Sequence, residues 1–121
     1  MKRVMAKNTE KALAKKWLSA LRSRNYKQCK SQLKISAWTD LHGAVYNDKH
    51  CCLGVLCEVA KIPFNDENGF PPEEAALRLG LSGYGDQPPE GHLFRDAATW
   101  NDKGLKFYQI ARKIERRLLA A

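Results

Sequence analysis

The chain has no long apolar run. Its most apolar stretch, Leu53-Gly54-Val55-Leu56-Cys57, falls far short of the about 20 residues that a membrane-spanning helix needs. Its start, Met1-Lys2-Arg3-Val4-Met5-Ala6-Lys7, carries charge but no following apolar segment of the kind that directs export. A cytoplasmic protein is therefore expected. The cysteines are badly spaced for crosslinks. There are four, with Cys51 and Cys52 adjacent and Cys57 within two helical turns, so reduced thiols are expected. No internal repeat and no low-complexity tract is present, which excludes solenoids and compositional linkers. No motif names a reaction.

What is present is charge, unevenly placed. The 121 residues hold 21 Lys and Arg against 13 Asp and Glu, a net charge of +8. Residues 1–34 carry 11 basic residues and one acid, net +10; residues 35–102 carry four and 11, net −7. Residues 103–121 carry six and one, net +5. An acidic middle lies between two basic ends. Such asymmetry points to one face for an anionic partner, or else to basic helices neutralising an acidic centre. The length fits one domain spanning 1–121, able to bury about two thirds of its unfolded surface, and a hydrophobic fraction of 44% suits a core.

Periodicity predicts the elements. Leu13, Ala14, Trp17, Leu18, Ala20 and Leu21 recur at helical spacing, giving a helix over about 9–24 capped by Asn8 or Thr9. Residues 1–7 read as a flexible basic lead-in. Arg24-Asn25-Tyr26 reads as a turn. Lys27 to Leu33 reads as a short second helix anchored by Cys29 and Leu33. Alternation over 35–48 predicts a small hairpin. Residues 50–61 are apolar nearly all round and read as a buried helix capped by Asn47 or Asp48, with a buried strand as the alternative. Gly54 would cost that helix about 1 kcal/mol relative to Ala, so its role is to admit another backbone closely. Residues 63–71 are a loop. Pro72, Glu73 and Glu74 open a helix over about 72–79 that exits at Gly80. Residues 80–91, with four glycines and two prolines, form a long loop of the kind that is often functional or mobile. Leu93-Phe94 reads as a short extended piece and Asn101 to Gly104 as a turn. A final helix over about 105–119 carries the stripe Phe107, Ile110, Ala111, Ile114 and Leu118. The expected architecture is a mainly helical α+β domain of four to five helices with a small β-hairpin.

Candidate chemistry is thin. His50, Cys51, Cys52, Cys57 and Cys29 offer soft metal ligands, but structural zinc sites use ligand pairs about two to four residues apart. Adjacent Cys51 and Cys52 face different sides of a helix, so the cysteines read as small core hydrophobes and no metal or cofactor is expected. Cys51 or Cys52 in a first helical turn beside His50 is a placement that can activate a thiol. A small cysteine/histidine enzyme or ligand sequestrant is thus one alternative. Asp96 and Asp102, or Asp66 and Glu67, converge at no fixed spacing. The loop of Gly83, Gly85 and Gly91 lacks the lysine and hydroxyl of a phosphate loop. The basic faces are the strongest candidates: Lys11, Lys15, Lys16, Arg22, Arg24 and Lys27, with Tyr26 to stack, and Arg112, Lys113, Arg116 and Arg117. They suit phosphates or an acidic protein, the alternative being solvated helix faces.

Two stretches carry a resemblance. One is Cys51-Cys52-Leu53-Gly54-Val55-Leu56-Cys57, preceded by the Trp17–Leu21 helix and Tyr26-x-Gln28. The other is Asn101-Asp102-x-Gly104-x-x-Phe107-x-x-Ile110-Ala111-x-x-Ile114-Glu115. Together they resemble a family of small bacteriophage and prophage proteins. The resemblance implies no catalytic or ligand residue. It implies a mobile-element protein, and small phage proteins commonly bind and inhibit host machinery, CRISPR defences included. The expected function is a non-enzymatic accessory protein that inhibits a host protein or nucleoprotein complex through its basic faces. Direct DNA or RNA binding is the second reading, and no membrane partner is expected.

Overall fold

Nine residues are too few for a helix to hold in water alone, since isolated helices shorter than about 12–15 residues are marginal. Yet the centre of this protein is such a helix. In a computed structural model that describes residues 2–30, 32–64 and 69–119, with side chains from Thr9 onward, it spans Cys52–Ala60. Packing sustains it: Cys52, Leu53, Gly54, Val55, Leu56 and Cys57 are all buried.

Five helices and five two-residue strands are described: α1 (Lys2–Arg22), β1 (Lys27–Gln28), β2 (Lys34–Ile35), β3 (Trp38–Thr39), β4 (Val45–Tyr46), β5 (Lys49–His50), α2 (Cys52–Ala60), α3 (Glu73–Arg78), α4 (Leu93–Asp102) and α5 (Phe107–Leu118). The fold is mainly α with a small β part. No described helix is long and apolar enough to cross a membrane. Helix α1 packs along α5 and across α2, while α4 packs on α2 and α5. Trp17 is fully buried, meets Phe94 edge to face at 6.2 Å and donates its indole N–H to Cys52 O at 2.8 Å. Strand β5 sits between β1, parallel to it, and β2, antiparallel. β3 and β4 form a separate antiparallel hairpin, as the 35–48 alternation predicts.

Several expectations need correction. Helix α1 begins at Lys2, not near Thr9. The expected helix over 27–33 does not form among the described residues. Lys27 and Gln28 pair with Lys49 and His50, and Cys29 N donates to His50 O at 2.9 Å. Cys29 and Leu33 are both buried, but between β1 and β2. The cap of α2 is Cys51, whose Sγ accepts from Gly54 N at 3.4 Å; β5 occupies the residues between it and Asp48. Leu93-Phe94 does not extend: it opens α4, with His92 Nδ1 accepting from Phe94 N at 3.1 Å. Asn101 therefore lies in a helix, not in a turn.

The long 80–91 loop is pinned. Glu73 Oε2 accepts from Tyr84 N and Gly85 N, both at 2.9 Å, and Tyr84 donates its hydroxyl to Pro71 O. Those backbone donors hold the exposed Glu73 carboxyl below its ordinary pKa. A depressed carboxyl contributes stability above its unfolded pKa and loses it as pH falls through the folded value. The protection factors of the Tyr84 and Gly85 amides should therefore fall in acid, and Glu73→Ala should lower them in the same way at neutral pH. Equal protection in variant and parent would contradict this role.

Candidate functional site

Packing of α1 on α5 brings the two basic ends together. Arg22 and Glu115, 93 positions apart, form an ion pair at 3.1 Å across the seam. With both side chains well exposed, the pair contributes under about 1 kcal/mol. It serves more as a marker of register than as a clamp. Grooves open on either side of it. One, of about 590 Å³, is lined by Arg22, Leu105, Tyr108, Gln109, Arg112, Lys113 and Arg116. The other, of about 500 Å³, is lined by Lys15, Leu18, Ser19, Arg22, Ser23, Glu115 and Leu119.

The structure divides the candidate residues. Lys15, Arg22, Arg112, Lys113 and Arg116 share this seam. Lys15, Arg112 and Arg116 form no ion pair among the described residues. Lys113 lies over the Trp100 ring at 5.4 Å. Lys11 is exposed on α1 but lines neither groove, and Lys16 lines a different one, beside α2 and α3. Arg24 is exposed in the turn after α1, with φ +66°, and Lys27 is exposed on β1. Tyr26 is not presented for stacking: its half-buried ring meets His50 edge to face at 5.1 Å. Arg117 is committed to the fold, bonding Asp96 at 2.7 Å and Gly91 O at 2.9 Å. Tyr108 was missing from the candidates. It is 65% exposed in the larger groove. Its spacing to Arg112 and Arg116, at i+4 and i+8, is the signal that places it on one face with them.

Cys29, Cys51, Cys52 and Cys57 are in no disulfide among the described residues, and all are buried. Burial pushes Cys51 up to about 12 and Cys52 well above the ordinary thiol value, so both stay protonated at neutral pH. His50 is buried and turns Nε2 to Glu58 Oε2 at 3.1 Å, while Lys34 stands 3.7 Å from the same oxygen. Among the described residues, no three His, Cys, Asp or Glu gather as a metal site. Asp66 and Glu67 lie outside the described residues. The Gly83–Gly91 loop spends the Gly85 N–H on Glu73, leaving that donor unavailable to a phosphate.

The stretches that carry the family resemblance meet at one buried side chain. Asn101 is fully buried. Its Nδ2 donates to Cys29 O at 2.7 Å, and its Oδ1 accepts from Cys52 N at 3.2 Å and from Gln28 Nε2 at 3.0 Å. Gln28 Nε2 also donates to Leu105 O at 2.7 Å. Three separate segments, residues 28–29, α2 and α4, are thus tied at one polar point. Compared with protein-family models, curated proteins and solved structures, the chain gives no match.

Proposed function

We propose that this is a non-enzymatic accessory protein of phage or prophage type that binds and inhibits a host nucleoprotein or acidic protein complex, docking through the α1–α5 seam. One observation carries the reading: basic residues from both ends of the chain line two adjoining grooves. Long-range attraction from such a cluster speeds encounter with an anionic surface. Leu105, Tyr108 and Leu119 add apolar contact among the charges, which suits a protein surface more than bare phosphate. Tyr108, exposed amid arginines, is what favours direct nucleic-acid binding as the second reading.

The test is a triple reversal, Lys15→Glu, Arg112→Glu and Arg116→Glu, compared with the parent in affinity capture from infected bacterial cells. The parent should retain a host complex that the variant loses; equal capture at physiological salt would defeat the proposal. A salt titration with labelled DNA and RNA separates the two readings. If the seam binds nucleic acid directly, the reversal should reduce the salt slope by about three, one per lost phosphate contact.

A further inference from the structure

The β1–β5 ladder carries two cysteines to neighbouring positions. The strands run parallel, with Lys27 opposite Lys49 and Gln28 opposite His50. One residue further, the same register sets Cys29 opposite Cys51. The backbone keeps to it: Cys29 N donates to His50 O at 2.9 Å, and Cys51 stays extended at φ −82° and ψ 174°. Neighbouring strands lie about 4.8 Å apart, inside the about 4.4–6.8 Å that separates the Cα atoms of a disulfide. Residues at one register position also send their side chains to the same face. Here that face is the core, where Cys29 and Cys51 are both buried. The other thiols are directed elsewhere. Cys52 turns its Sγ to Ala97 O at 3.5 Å, and Cys57 lies further along α2, where it lines a groove with Lys34, Lys61 and Phe64.

We propose that Cys29 and Cys51 are a redox pair, closed to a disulfide by hydrogen peroxide and reopened by a dithiol. Burial keeps Cys51 protonated, which makes it a poor first nucleophile, so the first step falls to Cys29. Its thiolate attacks one peroxide oxygen. The O–O bond breaks, the departing hydroxide takes up the thiol proton as water, and Cys29 becomes a sulfenic acid. Cys51 Sγ then attacks the Cys29 sulfur. The S–O bond breaks, and the Cys51 proton leaves with the hydroxyl as a second water. Two thiols and one peroxide give one disulfide and two waters, the sulfurs losing the two electrons that the peroxide gains. The neighbouring position supplies the proximity that this second step needs. The bond disturbs little around it. The Cys51 sulfur still accepts from Gly54 N as the cap of α2, and Cys29 gives up a weak S–H donation to Gln32 O at 3.4 Å. The inference uses no residue of the basic seam, so it stands or falls separately from the function proposed above.

Peptide mapping of the full chain tests it. The folded protein is treated with hydrogen peroxide, unfolded, alkylated, digested without reduction and read by mass spectrometry. One linked peptide pair, lighter by two hydrogens, should join Cys29 to Cys51, with fragment ions showing Cys52 and Cys57 alkylated. The oxidised protein should melt about 10 °C higher, the effect of closing the chain between residues 29 and 51, and a dithiol should reverse the gain. Cys29→Ser and Cys51→Ser should each abolish the link and the gain. The mapping is made on the parent, so it holds whether or not these variants fold. A Cys51–Cys52 bridge, an intermolecular bridge, a Cys29 sulfinic acid without a link, or four thiols unchanged by peroxide would each overturn the proposal. So would a link that lowers the melting temperature, since a well-placed pair closes without strain.

Discussion

Gly54→Ala is expected to destabilise the domain by about 3 kcal/mol or more, the upper range for forcing atoms into a packed core. A Cβ built on Gly54 lies 1.8 Å from Leu33 O and 2.8 Å from Leu33 C. Comfortable contact between carbon atoms needs about 3.5–4.0 Å. The obstacle is backbone, so no rotamer change relieves it. Leu33 cannot retreat cheaply: its side chain is fully buried, its carbonyl accepts from Cys51 N at 3.1 Å, and the next residues pair with β5. Opposing this is the helix propensity of Ala, worth about 1 kcal/mol over Gly. The steric term is larger, and thermal unfolding should fall by about 10 °C. A melting temperature that is unchanged or higher would mean that propensity decides and that the close approach of Leu33 carries no energy.

Asn101→Leu should cost roughly 3–5 kcal/mol, since an unsatisfied buried polar group costs about 1–3 kcal/mol and two backbone groups would be orphaned. Those groups are Cys29 O and Cys52 N, while Gln28 keeps Leu105 O. Denaturant unfolding measures the loss, and a change within about 0.5 kcal/mol, the range of an ordinary surface substitution, would refute the assigned role. Asn101→Asp gives a sharper signature. It keeps the acceptor but places a buried carboxylate against the Cys29 carbonyl. Burial raises such a carboxyl above its unfolded pKa, so the folded state binds the extra proton. Stability lost at neutral pH should then return in part as pH falls through that raised value. The wild-type carboxyls of Asp40 and Glu73 are lowered by backbone donors and act in the opposite direction, losing their contribution in acid. The difference in stability between variant and parent should narrow toward low pH. A difference that widens would contradict the buried placement.

The same two residues show what could be read from the chain. Gly54 was legible. A glycine costing helix stability in an apolar helix needs a reason, and close backbone approach is the common one; only the structure names Leu33. Asn101 was not legible. In α4 the inward positions are Leu93, Phe94, Ala97 and Asn101, so the polar residue interrupts the apolar stripe. The helix is capped by His92, outside the usual Ser, Thr, Asp and Asn. Both cues that mark a helix in sequence are missing, so the sequence reads as a short extended piece at Leu93-Phe94 and a turn from Asn101 to Gly104 instead of one helix. The 27–33 segment failed for a different reason. Its Cys29 and Leu33 spacing is helical, but backbone pairing with β5, distant in sequence, outweighs a weak local preference.

For the candidate site, local reading reached the residue types but not their grouping. Lys15, Arg22, Arg112, Lys113 and Arg116 were visible as off-stripe charges on amphipathic helices. Nothing local separated them from Arg117, which looks identical in sequence but is spent on Asp96 and Gly91. Tyr26 likewise looked available until His50 was placed against its ring.

Composition and periodicity by themselves determined a mainly helical fold, a buried central helix, a hairpin and a segregation of positive charge to both ends. These are properties of neighbours along the chain, set by helical and strand periods and by charge counts. The tertiary structure alone decided that the two basic ends form one seam, that a buried asparagine ties three segments, and that the apolar side chains of the hairpin stand exposed. Each depends on residues tens of positions apart meeting in space, and such meetings are chosen by the packing of the whole core.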